Sequence, residues 1–236
     1  WIPEKALSIN YAGWSLSVEL FFYMLFPFLF SFFTKKRMKT SFIIIVSFWL
    51  FSQIIFLLNL NEMITFPWYN IKDSFYHPVF HLNEFLIGIL AGLIFLKGKI
   101  RIKNNYFNSL LFFSAFLVII IALKFFYGMN FHNGFLSPLF AILIIIMADS
   151  KTKLASFFSK KSFVFLGEIS YSIYILQVPI WTIFTNKWFE KYLGISFSKH
   201  DYTSSFLVKL LILIGMSALV YIYVEKPLRN KIKKLG

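Results

Sequence analysis

The chain has 236 residues, of which 58% are hydrophobic and only 14% charged, with 33 Phe and no Cys. That is too oily for a soluble domain of this length and reads as a polytopic membrane protein. Disulfides, iron–sulfur clusters and thiolate catalysis are excluded. The formal charge of +14 does not imply nucleic acid, because the cations lie between apolar stretches.

In chain order, runs long enough to cross a hydrocarbon core of about 30 Å occur at about Leu16 to Phe33, Ser41 to Leu60, Phe75 to Leu96, Phe107 to Tyr127, Phe131 to Ala148, Phe163 to Thr185 and Ser204 to Val224. The expectation is an all-α membrane bundle of seven transmembrane helices in a single domain covering 1–236. The fifth run is interrupted by Asn133, Gly134 and Pro138, and Pro27, Pro78 and Pro179 also fall within spans. Loop cations test the count. The segments after spans one, three and five, with the tail, carry seventeen Lys and Arg, while the alternate segments carry five, Lys5, Lys72, Lys187, Lys191 and Lys199. The positive-inside rule then puts residue 1 outside and the tail in the cytoplasm of a multi-pass cell-membrane protein. Lys124 and Lys209 fall near outer span ends, where a long side chain can snorkel.

Polar residues within the spans are the candidates for chemistry, because an intramembrane charge is costly and usually meets a partner or a wet cavity. In the first span Ser15, Glu19 and Tyr23 recur every four residues and share a face. Glu19 has two readings: a partner in a polar site, or a carboxylate favoured at a helix N-terminus. In the third span His77, His81, Glu84 and Gly88 follow one face. Entry at Phe75 puts Glu84 about 14 Å deep, near the midplane. This string suits a proton relay or a polar acceptor cleft, or His81 simply pairs with Glu84. The same residues could hold a metal by spacing alone, and no metal site is assigned. Gly88-x-x-x-Gly92 is expected to serve close helix packing. In the sixth span Ser170, Tyr174 and Gln177 approximate one face, and Glu168 reads as a first-turn helix charge. Trp49, Trp68, Trp181 and Trp188 read mainly as lipid contact and interfacial belt. No phosphate-cradling loop and no Gly-x-Ser-x-Gly elbow occurs.

Four stretches in order carry a resemblance: Trp14-Ser15-Leu16-Ser17-Val18-Glu19 with Phe22-Tyr23 and Pro27; Glu84-Phe85-Leu86-Ile87-Gly88; Gly167-Glu168-Ile169-Ser170-Tyr171-Ser172-Ile173-Tyr174; and Val224-Glu225-Lys226-Pro227. Together they resemble the membrane-bound acyltransferase 3 family, and they span the whole chain. The resemblance implies transfer of an acetyl or other short acyl group from cytoplasmic acyl-CoA, such as acetyl-CoA, to a hydroxyl of a cell-surface or exported saccharide. It implies about ten spans with both ends cytoplasmic, so the chain is expected to be a seven-span fragment and inactive by itself. The His associated with catalysis in the family is expected in the missing N-terminal part, and the family often has His where Gln177 stands. On this reading Glu19, Glu84 and His81 are the candidate catalytic residues, and Trp14, Ser15, Ser17, Tyr23, Ser170, Tyr171, Tyr174 and Gln177 the candidate substrate-binding ones. Acyl-CoA, the saccharide acceptor and the lipid bilayer are the expected partners, nucleic acid is not, and no bound cofactor is expected. The alternative is a transporter or flippase for a lipid-linked glycan, although no internal repeat of the transporter kind is visible. A polysaccharide polymerase would need a longer outer loop than about Asn186 to Thr203.

Overall fold

A computed structural model describes residues 13–61, 63–64, 76–98, 105–125, 131–148, 153–197 and 202–234. The described residues are mostly helical, with no strand among them. The helices are α1 (Trp14–Thr34), α2 (Met38–Leu60), α3 (Pro78–Leu96), α4 (Asn105–Phe125), α5 (Ser137–Ala148), α6 (Lys153–Phe158), α7 (Lys161–Glu168), α8 (Ser170–Ile183), α9 (Asn186–Leu193), α10 (Tyr202–Val220) and α11 (Lys226–Lys233). The loop cations Lys5, Lys72, Lys99, Arg101, Lys103, Lys151 and Lys199, and Trp68, lie outside the described residues.

Each of the seven apolar runs contains helix, but they are not seven uninterrupted spans. Five helices are long and apolar enough to cross a membrane, or six when the pair α7 and α8, bent by 59°, counts as one. The fifth run yields a 3-10 turn at Phe131–Asn133 and a 12-residue helix, α5. Twelve residues rise only about 18 Å. Contacts gather the chain into two compact units, one holding Trp14–Phe158 and the other Ser159–Gly236.

In the first unit α3 is the hub. It packs against α1, α2 and α5, and 44% of its apolar window is buried, against 17% to 22% for the other long helices. Leu86, Ile87, Leu90 and Leu93 meet Phe33 and Ile45 in the main core cluster. Phe85 stacks on Phe22 with ring centroids 4.4 Å apart. The outer faces of α1, α2 and α4 stay exposed and apolar, Phe28, Phe51 and Leu110 among them, as lipid-facing surfaces must be.

The break before α5 is held by polar side chains. The Asn133 carbonyl accepts from Gln53 Nε2 at 3.0 Å and Asn83 Nδ2 at 2.8 Å. The Gly134 carbonyl accepts from Trp49 Nε1 at 2.9 Å and Ser137 Oγ at 2.7 Å. Asn133 Nδ2 returns a bond to Gln53 Oε1 at 2.6 Å, and Asn83 also donates to Ser52 Oγ. Irregular backbone at membrane depth requires such internal partners. Gly134 sits at φ +75°, and a Cβ there would overlap the Asn83 side chain and lie 3.0 Å from Glu84 Cβ. Trp49 is therefore an internal donor, and the belt role expected for it is corrected.

In the second unit α8 packs on α10. Ser172 Oγ donates to Glu225 Oε2 at 2.9 Å, so the third and fourth motif stretches meet in space. Glu225 ends a π-helical turn, Tyr221–Glu225. Tyr221, 1% exposed, accepts from Arg229 Nη2 at 3.1 Å. Glu168 closes α7 immediately before the bend at Ile169, so the first-turn placement expected for it is also corrected.

Candidate active site

The residue spacing of α1 directs one row of side chains toward α3. Trp14, Val18, Phe22, Phe26 and Phe30, each four residues from the last, line a cavity of about 1490 Å³ within the first unit. Across it α3 contributes His81, Glu84, Phe85, Gly88, Gly92 and Phe95, and the α5 segment contributes Gly134, Ser137 and Phe140. The polar groups Ser15, Glu19, His81 and Glu84 lie toward the beginning of α1 and α3, and the remainder, Ser137 apart, is largely apolar and aromatic.

At that polar end His81 Nδ1 lies 2.5 Å from Glu84 Oε1. The His81 side chain is 6% exposed and that of Glu84 40%. An ionised carboxylate only accepts, so Nδ1 carries the proton and Nε2 is the basic nitrogen when the ring is neutral. The Trp14 ring lies 5.5 Å from the His81 ring and 5.4 Å from Tyr76, fixing one wall. A buried imidazole oriented by a carboxylate that opens to a cavity has the parts of a general base with its orienting group.

The remaining predicted residues divide. Ser15 and Glu19 line the cavity, with Glu19 Oε2 accepting a long 3.4 Å bond from Tyr23 OH. Tyr23 is 69% exposed, and neither it nor the exposed Ser17 lines the cavity. A four-residue step overshoots a helical turn by about 40°, so the row that starts at Ser15 has rotated outward by Tyr23. In the second unit Ser170 Oγ donates to the Gly167 carbonyl at 2.7 Å. Tyr171 is exposed, and Tyr174 and Gln177 are half-buried.

Two expectations about α3 are corrected. The run expected to start at Phe75 becomes helix only at Pro78, with His77 as its N-cap accepting from Val79 N at 3.3 Å. Glu84 is six residues in, or about 9 Å along the axis from Pro78. Burial holds the His77 imidazole below its ordinary pKa, with repulsion from His81 adding to the effect. Gly88 and Gly92 pack no neighbour: a Cβ at either would meet nothing within 4 Å, because both face the cavity. Sequence reasoning missed Gln53, Ser52 and Asn83, whose signal was available: polar side chains inside apolar runs must find partners.

A family model described as an acyltransferase domain, Acyl_transf_3, matches residues 1–225. The chain belongs to the acyltransferase 3 family. It is 28% identical over 230 residues to the O-acetyltransferase OatA of Staphylococcus aureus, in strains NCTC 8325, COL and MRSA252 alike, covering 92% of this chain and 36% of each relative. The chain thus spans about a third of the length of these curated relatives. No solved structure matches it. The acyltransferase 3 motifs meet in pairs, one pair within each unit. The first two motif stretches form facing walls of the cavity, and the last two meet through Ser172 and Glu225.

Proposed function

We propose that the protein is an integral membrane O-acyltransferase that moves an acetyl or similar short acyl group from acyl-CoA to a hydroxyl of a cell-surface saccharide. One observation carries this reading: a buried imidazole, His81, held by Glu84 of the second motif stretch at the polar end of a large apolar cavity that the first motif stretch faces. OatA is named an O-acetyltransferase, which favours acetyl as the group. The cation asymmetry between alternate loops favours a tail in the cytoplasm, where acyl-CoA is made, and an acceptor on the opposite face.

In this mechanism the sugar hydroxyl gives its proton to His81 Nε2 as its oxygen attacks the thioester carbonyl carbon. Glu84 keeps the ring oriented and stabilises the imidazolium, as a carboxylate does for a catalytic base. Collapse of the tetrahedral intermediate breaks the C–S bond, and the proton returns from His81 to the departing thiolate, giving the ester and free CoA. In this reading Ser15 and Trp14, both in the cavity lining, position the substrates, and the Ser15 hydroxyl donates to the oxyanion. Glu19 is a further polar partner at the mouth, and the apolar limb past Gly88 and Gly92 has room for the chain-like thioester arm. Ser17, Tyr23, Ser170, Tyr171, Tyr174 and Gln177 act as supporting polar groups and not in the proton transfer.

The test is saccharide acylation, measured by mass spectrometry on cells carrying each variant. His81→Gln and Glu84→Gln should each cut transfer by about a hundredfold or more, the typical contribution of a positioned base, with membrane levels unchanged. Near-normal acylation in His81→Gln would refute the assignment.

A further inference from the structure

A second pocket, of about 430 Å³, opens in the second unit between the end of α8, the start of α9 and the first turns of α10. Its lining is Trp181, Thr185, Asn186, Ser205, Phe206 and Lys209. That volume is in the lower part of the range of roughly 300–1,000 Å³ for small-ligand pockets. Its composition is unlike that of α8 and α10, which are largely apolar.

Lys209 is the unusual member. It lies six residues into the apolar span that begins at Thr203, about 9 Å along the helix. No carboxylate among the described residues pairs with it. Ser205, Lys209, Leu213 and Ser217 form one row of α10, and Ser205, Leu213 and Ser217 are 4%, 3% and 0% exposed. Lys209 is itself half-buried and lies on this packed row, away from the side where Leu207 and Leu211 are 51% and 69% exposed. Simple snorkelling from a lipid-facing position does not describe it. A cation beside packed helices calls for a counter-charge, and none of the described residues lining the pocket is acidic.

The other walls suit a sugar. Ser205 Oγ donates to Asn186 Oδ1 at 2.6 Å, which leaves the amide nitrogen of Asn186 to donate. Thr185 Oγ1 accepts from Trp188 N at 3.2 Å, which leaves its own proton to donate. Trp181, set edge-to-face against Phe206 at 5.8 Å, offers a flat amphipathic ring that the C–H face of a pyranose can cover. We propose that this pocket is an acceptor subsite for one acidic sugar unit, its carboxylate or phosphate paired with Lys209 and its ring against Trp181. The proposal rests on the acyltransferase reading in taking that sugar for part of the acceptor, on the face opposite the cytoplasmic tail.

The test is saturation-transfer NMR on the full chain in phosphatidylcholine nanodiscs, with glucuronate, glucose 6-phosphate and neutral glucose as probes and no acyl donor present. At least one acidic sugar should give a signal several-fold above glucose. Lys209→Met should weaken its binding roughly tenfold or more, as loss of a charge-assisted bond does, while Lys209→Arg retains it and Trp181→Leu reduces it. Equal signals from acidic and neutral sugars, or binding indifferent to Lys209→Met, would overturn the proposal. So would loss of the signal on changing to phosphatidylglycerol nanodiscs, which would make a lipid headgroup the occupant. Because no acyl group is transferred in the assay, a protein that acylates but does not bind here loses only the pocket. One that binds here but never acylates keeps the pocket and loses the proposed function.

Discussion

Two glycines lining the same cavity, Gly134 before α5 and Gly88 in α3, should respond in opposite ways to the same added methyl. Gly134 is at φ +75°, a conformation that costs a residue with a Cβ about 1–2 kcal/mol. Its new methyl would also overlap the Asn83 side chain and crowd Glu84 Cβ at 3.0 Å. Moving Asn83 gives up its 2.8 Å bond to the Asn133 carbonyl, about a further 1 kcal/mol. Gly134→Ala should therefore destabilise the first unit by roughly 2–3 kcal/mol. Gly88→Ala meets nothing within 4 Å and lies inside α3, where Ala is preferred to Gly by about 1 kcal/mol, so it should be neutral or stabilising. The assay is thermal or denaturant unfolding of the purified protein in one detergent, both variants side by side. A Gly134→Ala protein as stable as Gly88→Ala would refute the buried polar anchorage of the segment before α5.

Other consequences follow from single contacts. Ser172→Ala should leave the Glu225 carboxylate without its 2.9 Å donor and lower stability by about 1–3 kcal/mol, read as the shift in unfolding midpoint. His77 caps α3 through Nδ1, which requires the neutral ring, and its pKa is lowered by burial. The cap's contribution, about 1 kcal/mol, is therefore complete above the unfolded imidazole value near 6.5 and lost as pH falls through the lowered folded value. His77→Asn should remove that part of the acid sensitivity in a series of melts across pH. For topology, cysteines replacing Lys72 and Lys199 should react with an impermeant thiol reagent from outside, and those replacing Lys36, Lys99 and Lys231 should not. Outside labelling at position 99 would overturn the orientation.

The long helices were legible because hydropathy over some twenty residues is a strong signal, and α1, α2, α4 and α10 follow it closely. Where polar side chains interrupt it, the pattern said that something breaks but not how. Asn133, Gly134 and Pro138 marked the fifth run as irregular, yet the partners that stabilise the break, Trp49, Gln53 and Asn83, come from helices distant in sequence. The bend at Ile169 had no composition cue, since a hydrophobic window averages across it. Within the site, the spacing of three placed His81 beside Glu84, because residues three apart on a helix are neighbours. Spacing of four alone put Tyr23 with Glu19 but could not show that the row turns outward. The Gly88 and Gly92 pair looked like a packing motif because small residues serve both close contact and open space. Only the facing helix decides between them, and here it stands back to leave a cavity.

The central claim is that His81 and Glu84 are paired for chemistry and not merely to neutralise one another. Replacing an ion pair by apolar groups of similar size is often neutral or stabilising where the pair is buried, and His81 is buried while Glu84 is part-exposed to the cavity, so the double variant His81→Leu with Glu84→Leu separates the two roles. Saccharide acylation by cells carrying that variant, at matched protein level in the membrane and with an unfolding midpoint at or above the parent's, is the most direct measurement. The account predicts a stable protein with acylation reduced by about a hundredfold or more; a stable double variant that acylates normally would contradict it.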